Sequence, residues 1–327
     1  MSSPSEETPD IRSDLDATLR PTSWDEYIGQ EHVKDNLFIL IDAALQRNER
    51  PEHLLFYGPP GVGKTTIAHV VGKHLQAPVR ITSGVAIERA ADLAAILTNL
   101  EPGDILFIDE IHQLSKKVEE LLYPALEAGR LDIILGKGPS ARTVQLELPP
   151  FTLVGATTRI AQVSSPLRSR FGGGVHQLEL YSEDELARIL SRSAKLLSFD
   201  IPDDVLLGIA SRSRGTPRAA NYLLKRVRDY CAVKNADPSL DLLDEACALF
   251  GIDSIGLNRD DRRYLRTLAD TFSGGPTGMK NLATALNEEP TTLEDLYEPY
   301  LIRVGFIERT PRGREITSRG KAHLGIV

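Results

Sequence analysis

Residues 53–66 read HLLFYGPPGVGKTT. The segment opens on a short apolar run, passes through a turn of glycine and proline, and closes on Lys-Thr-Thr at the head of a stretch with helical spacing. GPPGVGKTT, 58–66, fits G-x-x-x-x-G-K-[ST] in the strand-turn-helix context that pattern requires. The glycines let backbone wrap a phosphate with no Cβ in the way. Backbone N–H groups and the helix N-terminus then hold the anion. In such a loop Gly61, Val62 and Gly63 line the phosphates, Lys64 reaches the β- and γ-phosphates, and the Thr65 hydroxyl ligates Mg²⁺. The reading predicts a parallel α/β sheet built around ATP and Mg²⁺.

The surrounding chain agrees. HLLFY (53–57), VRIT (79–82), DILFID (104–109) and FTLVGATT (151–158) are short apolar runs, suited to parallel strands buried on both faces. KTTIAHVVGKHLQ and AIERAADLAAILTNL lie between them with helical spacing, which makes a doubly wound sheet. ILFIDEIH, 105–112, puts Asp109 at the carboxyl end of a strand, where open α/β sheets place ligands. Asp109 would hold magnesium through water, and Glu110 would polarise the attacking water as general base. A solvated acidic strand end is the alternative, and the phosphate loop argues against it. No NKxD-type sequence points to guanine. GATTR, 155–159, is expected to end the fourth strand, beside the second, with Thr158 near the γ-phosphate or the water. Residues 131–150, LDIILGKGPSARTVQLELPP, alternate apolar and polar around GKGPSA and read as a protruding β-hairpin.

SSPLRSRFG, 164–172, carries Arg168 and Arg170 after a proline-started turn. An arginine there could serve a neighbouring subunit's nucleotide or form a surface ion pair. RGTPRAAN, 214–221, puts Arg218 at a helix start, either on phosphate or as ordinary helix-surface charge. From Ser182 the pattern becomes helical. SEDE is a capping box, with Ser182 as N-cap and Glu185 reaching back, and four helical segments follow. After GIDSIGLNRD (251–260), three helices and a short hairpin over FIERT-PRGR-EIT make a winged helix. Arg309, Arg312 and Arg314 crowd its turn. They suit a phosphodiester backbone without base reading, because no aromatic platform or Asn/Gln cluster accompanies them. A soluble basic turn is the plain alternative.

Composition bounds the rest. With 327 residues, 41% hydrophobic and 26% charged, the chain is a soluble globular protein of two or three domains. Net charge is −8, yet 301–327 carry six Lys/Arg and two Asp/Glu, a local +4 against −12 for the remainder. That asymmetry hints at a polyanion contact. Two cysteines, Cys231 and Cys247, exclude a disulfide scaffold, and they are expected in helical cores. Histidines lack metal spacing. No run is long and apolar enough to span a membrane. The polar start, to about Asp14, reads as a disordered arm without a secretory signal, which points to the cytoplasm.

The chain resembles the RuvB family, AAA+ ATPases that drive branch migration of Holliday junctions. The matching strings include LRPTSWDEYIGQ, LLFYGPPGVGKTT, LFIDEIH, LDIILGKGPSARTVQLELPPFTLVGATTR, SRGTPRAAN and YEPYLIRVGFIERTPRGR, and they run from roughly Leu15 to the end. The hairpin and the YEPYLI…RTPRGR segment set this family apart from other AAA+ proteins. The resemblance implies a large ATPase domain over 15–181, a small helical lid over 182–254 and a winged-helix head over 255–327. It implies that Leu19 and Arg20 line the adenine side. Gly61, Lys64, Thr65 and Thr66 would bind phosphates, with Tyr181 at the nucleotide. Thr158 looks like the first sensor, Arg170 like an arginine finger acting in trans, and Arg218 like the second sensor. Arg309 and Arg314 match DNA-contacting positions. It further implies a homohexameric ring on double-stranded junction arms. RuvA would dock on the 131–150 hairpin and RuvC would join the resolving complex, in recombination, repair and the SOS response. The chain departs from the family pattern at Ala128, Gly129 and Gln113, and in one extra residue within RFGGGVH. Two alternatives share many of these features: a nucleotide-switched loader that does not translocate, and a winged-helix regulator with a degenerate ATP fold.

Overall fold

The computed structural model describes residues 18–135 and 142–326. The arm to Asp14 and the GKGPSA turn lie outside them. By packing the chain divides into two units. One runs to Leu197 and takes in Thr216–Arg218; the other comprises Ser198–Gly215 and the chain from Ala219 on.

In the first unit the four expected strands form, as β1 (Leu54–Tyr57), β2 (Val79–Ser83), β3 (Ile105–Asp109) and β6 (Thr152–Thr157), joined by the short β7 (Val175–Gln177). They make one parallel five-stranded sheet in the order β2-β3-β6-β1-β7. The fourth apolar run therefore lies between the first and third, with Leu54 opposite Val154 and Phe107 opposite Val154 from the other side. It does not lie beside the second. Central strands must be apolar on both faces. Accordingly every residue of β6 is buried, whereas β2, at the edge, is half exposed. Helices α1 (Glu31–Gln46), α2 (Lys64–His74), α3 (Ala90–Thr98) and α4 (Lys116–Ala128) accompany them. The 131–150 segment is the antiparallel pair β4 (Arg130–Leu135) and β5 (Arg142–Glu147), separate from the main sheet. α5 (Ser165–Arg168) precedes β7, and α6 (Glu183–Leu196) closes the unit. Ser182 and Glu185 form the expected capping box at the start of α6.

His53 at the head of β1 has a readable effect on stability. Its Nδ1 accepts from the Leu153 N–H (2.9 Å), and its Nε2 lies 3.3 Å from the Leu126 carbonyl. That arrangement uses the neutral ring. Burial, with the Arg50 charge adding, lowers its pKa from 6.5 to about 4. Between those values the unfolded chain binds more protons than the folded one, so stability falls as pH drops through 6.5 and levels off near 4. The expected loss is about 3 kcal/mol. Chemical denaturation at pH 7 and pH 4.5 measures it, and most of the drop should vanish in His53→Gln.

The second unit holds α7 (Asp203–Ser211), the body of α8 (Pro217–Lys234), α9 (Leu240–Phe250), α10 (Arg259–Arg266), α11 (Met279–Leu286), α12 (Glu298–Arg303), the hairpin β8 (Ile307–Thr310) with β9 (Gly313–Ile316), and α13 (Ser318–His323). Cys231 and Cys247 are free and buried in α8 and α9, as expected. Three helices and the hairpin form the winged helix around Tyr264, Leu265, Leu282, Leu301 and Phe306. The sequence reading does not anticipate α1, α4, α5, β7 or α13. Within this unit Arg214, which follows α7, ties to the winged helix: it pairs with the fully buried Asp261, donates through Nε to the Gly256 carbonyl (2.8 Å) and lies over the Tyr300 ring. Removing one member of such a pair would strand the other charge in the interior. No described helix is long and apolar enough to cross a membrane.

Candidate nucleotide site

The site gathers at the carboxyl ends of β1, β3 and β6, where three strands stop side by side. Gly63, at φ 100°, is the N-cap of α2, a conformation that costs a residue with a Cβ. No side chain caps that end, so the first N–H groups of α2 remain available to an anion. Val62 is fully buried and anchors the loop, while Gly61, Thr65 and Thr66 are half exposed. Lys64 is buried and donates from Nζ to the carbonyls of Gly58 and Pro59, each at 2.9 Å. Burial lowers its pKa, against the charges of Glu110 and Asp109 that raise it.

Arg218 comes to the same loop. Its N–H lies 3.4 Å from the Gly61 carbonyl. A Cβ on Gly61 would stand 3.1 Å from Arg218 Cβ and 3.5 Å from Thr216 Cβ. Tyr181 is buried at the far side with its hydroxyl 3.4 Å from that of Tyr27, and both hydroxyls lie close to Gly63. Nothing in the local sequence singles out Tyr27. Leu19 is buried, and Arg20 Nη1 meets His69 Nε2 at 2.9 Å. Arg192 of α6 donates to the carbonyls of Leu19 (2.9 Å) and Arg20 (3.3 Å) and to Glu26 (2.8 Å), fixing that segment.

At the end of β3, Asp109 accepts the Glu110 N–H at 3.0 Å. Burial pushes its carboxyl pKa up, with the Glu110 charge adding and Lys64 and Arg218 opposing. A cation beside it would relieve that penalty. The Thr65 hydroxyl and the Asp109 carboxylate are hard oxygen donors, and no cluster of three or more His, Cys, Asp or Glu forms a metal cage among the described residues. That donor set fits magnesium, which keeps waters and phosphate oxygens in its shell.

Glu110 has φ 46°, a left-handed conformation that costs a non-glycine residue on the order of 1 kcal/mol or more and tends to occur at functional sites. Its Oε2 accepts from Thr158 N–H (3.1 Å) and Thr158 Oγ1 (3.0 Å). Thr158 is thus bound to the carboxylate, an arrangement the spacing did not specify.

Arg170 sits just beyond α5. Its guanidinium lies 4.1 Å from the Tyr123 ring centroid, donates to the Pro166 carbonyl (2.5 Å) and pairs with Glu127 (2.9 Å). None of these partners belongs to the phosphate loop. Tyr123 and Glu127, both on α4, escaped the sequence reading. Ala128 and Gly129 end α4, and the Gly129 N–H bonds the Pro124 carbonyl. The glycine run after Arg170 packs on the start of β1. Gly173 donates to the His53 carbonyl at 2.9 Å, and a Cβ there would meet the same oxygen at 2.9 Å.

In the second unit the wing arginines divide. Arg312 is exposed at the turn. Arg309 donates from Nε to Glu298 Oε2 at 2.7 Å and remains about half exposed. Arg314 spans Glu298 (2.9 Å) and Glu294 (2.8 Å), and its side chain is only 16% exposed. Glu298 is fully buried and also accepts from the Tyr264 hydroxyl at 2.8 Å. Arg312→Ala should therefore flatten the salt dependence of DNA binding by about 0.9 in log–log slope. Arg314→Ala should change it less and lower the stability of the head instead. Titrations at several salt concentrations, on two unrelated duplexes, would measure both.

Family models match almost the whole described chain. Residues 19–177 match the Holliday junction DNA helicase RuvB P-loop domain, 181–253 the RuvB AAA lid domain, and 254–325 the RuvB C-terminal winged helix domain. Among curated relatives, the Holliday junction branch migration complex subunit RuvB of Fusobacterium nucleatum is 52% identical over 313 residues, 95% of this chain and 94% of that protein. The one from Dehalococcoides mccartyi is also 52% identical, over 95% of this chain and 89% of its own length. Among solved structures, the Thermotoga maritima RuvB Holliday junction branch migration motor superposes with a TM-score of 0.85 at 47% identity, covering 95% of this chain and 99% of that one. The R170A form of the Thermotoga protein gives the same TM-score over 94% and 98%.

Proposed function

The chain belongs to the RuvB family, and from that membership we propose how its residues carry out the work of an ATP-hydrolysing Holliday junction branch migration motor. ATP lies on the 58–66 loop with its phosphates on Gly61, Val62, Gly63, Lys64, Thr65 and Thr66. Leu19, Arg20 and Tyr181 border the base and ribose. Thr65 and, through water, Asp109 would hold Mg²⁺, which would supply neutralisation of the phosphate charge. Glu110 takes the proton of the attacking water. Thr158 orients that carboxylate, and Arg218 contacts phosphate. Arg170 acts on the nucleotide of a neighbouring copy, so the working form is a ring, here a homohexamer. Arg312 meets the DNA backbone on the junction arms most directly, with Arg309 and Arg314 beside it and anchored on Glu298. RuvA docks on the β4–β5 hairpin, and RuvC joins the resolving complex. The domains are 15–181, 182–254 and 255–327, and the setting is the bacterial cytoplasm in recombination, repair and the SOS response.

The single observation that supports this reading best is the opposite placement of two charged groups. Glu110 bonds Thr158 and its charge acts on Lys64 of its own phosphate loop, while Arg170 is braced by Tyr123 and Glu127 of α4 and by the Pro166 carbonyl, none of which belongs to that loop. A site with its own base and a borrowed cation hydrolyses only when two copies meet. Family membership removes the regulator alternative, and a junction assay separates the motor from a static loader. On a synthetic four-way junction with RuvA, ATP should yield separated duplex products, and a non-hydrolysable analogue should yield none. Equal product with the analogue would overturn the proposal.

A further inference from the structure

We infer that His69 is a positioning residue for the adenine side of the nucleotide site, holding the Arg20 guanidinium from the same helix that begins at the phosphate loop. This rests on the placement of Arg20 beside the base and ribose proposed above. His69 lies on α2, little more than one turn beyond Lys64, the first residue of that helix. Its Nε2 is hydrogen-bonded to Arg20 Nη1 at 2.9 Å. A guanidinium has five N–H donors and no acceptor, so the histidine nitrogen accepts and carries no proton. Burial lowers the pKa of the ring, and the charges of Arg20 and Lys73 add to the effect, which suits a neutral ring with its one proton on Nδ1. Both residues are half-buried, so the bond is partly shielded from water.

The other bonds around Arg20 give the consequence. Its carbonyl accepts from Arg192 Nη2 at 3.3 Å, and the Leu19 carbonyl accepts from Arg192 Nη1 at 2.9 Å. Arg192 also pairs with Glu26, which in turn accepts the Thr22 N–H at 2.7 Å. These bonds fasten the main chain of this segment to α6, and the bond to His69 fastens the Arg20 side chain to α2. A long side chain held in one arrangement before ATP arrives loses less freedom on binding. Because α2 starts at the phosphates, the bond also joins the base side of the pocket to the phosphate side. The groups proposed for the chemical step, Glu110 and Thr158, follow β3 and β6 instead. Loss of His69 should therefore appear in nucleotide affinity and leave the chemical step alone.

The test measures steady-state ATP hydrolysis by the full chain, and ADP affinity by titration calorimetry with magnesium present. The variants are His69→Gln, His69→Leu, Arg20→Ala and the double variant Arg20→Ala/His69→Leu. Gln can place an amide oxygen where Nε2 stands and still accept from the guanidinium; Leu cannot. His69→Leu should raise KM for ATP and weaken ADP binding by about tenfold, the effect of losing one charge-assisted hydrogen bond, with kcat within about twofold of normal. His69→Gln should stay within about threefold of the unaltered chain in affinity. Because His69 acts through Arg20, the double variant should bind ADP no more weakly than Arg20→Ala alone. Normal affinity in His69→Leu, a Gln variant as weak as Leu, or losses that multiply in the double variant overturn the inference. If Leu fails to fold, His69→Ala replaces it in both comparisons. Arg20→Ala keeps two failures apart. Normal affinity there removes Arg20 from the nucleotide, and the reading on which the inference rests falls with it. Weakened binding there beside normal binding in His69→Leu removes only the role of His69.

Discussion

Arg170→Ala is expected to lower ATP turnover by about 10³-fold or more while leaving nucleotide affinity nearly unchanged. The guanidinium is held in place before any neighbour arrives. The Tyr123 ring supports its face at 4.1 Å, Glu127 takes one edge at 2.9 Å and the Pro166 carbonyl another at 2.5 Å. Such bracing reduces the ordering cost when the charge is presented to a phosphoryl group. Because the ring, ion-pair and hydrogen-bond partners of the side chain all lie outside its own phosphate loop, its loss should spare ADP binding and affect only the chemical step. Steady-state hydrolysis and ADP titration on the same preparation check both halves. An unchanged rate would mean that the cation comes from elsewhere. An equal loss of affinity would mean that Arg170 serves its own nucleotide.

Glu110→Gln should lower kcat by about 10²- to 10⁴-fold with little change in KM. The substitution keeps the size and leaves Oε1 or its replacement amide in the same place, but it cannot accept the water's proton. Glutamine also keeps an oxygen able to accept from Thr158 N–H and Oγ1, which now bond the carboxylate at 3.1 and 3.0 Å. The fold around β3 should therefore survive, and tight ATP binding without turnover should follow. Single-turnover measurement with radiolabelled ATP distinguishes a slow chemical step from slow release. A variant with normal single-turnover rate would place the base elsewhere.

Much of this was legible in the sequence for a definite physical reason. Buried parallel strands must be apolar on both faces, so β1, β3 and β6 announced themselves as unbroken runs. The phosphate loop is read from local backbone needs, and its strand-turn-helix context lies within a few residues. The edge strand β7 carries no such signal, because Val-His-Gln is half exposed and only three residues long. Strand order needs long-range pairing, which explains why the fourth run was set beside the wrong neighbour. At the site, Glu110 and Arg170 were identifiable but their partners were not. Tyr123 and Glu127 lie about one turn apart on α4 with nothing diagnostic in their local sequence, and only folding brings Arg170 to them. The wing shows the same limit. Three arginines looked equivalent in ERTPRGR, yet Glu298, a buried carboxylate eleven residues before Arg309, engages Arg309 and Arg314 and leaves Arg312 exposed. An i,i+3 or i,i+4 search would not find it, since the helix and the wing meet only in three dimensions.

The account turns on ATP being cleaved where two copies meet, and mixing two inactive variants tests that most directly. Lys64→Ala has a spoiled phosphate loop and an intact finger; Arg170→Ala has the reverse. In an equal mixture that exchanges subunits, random neighbours should rebuild one complete site in about four, so turnover should return to about a quarter of the normal rate from two nearly silent proteins. A mixture that forms mixed oligomers and stays as silent as its parts would contradict the shared site.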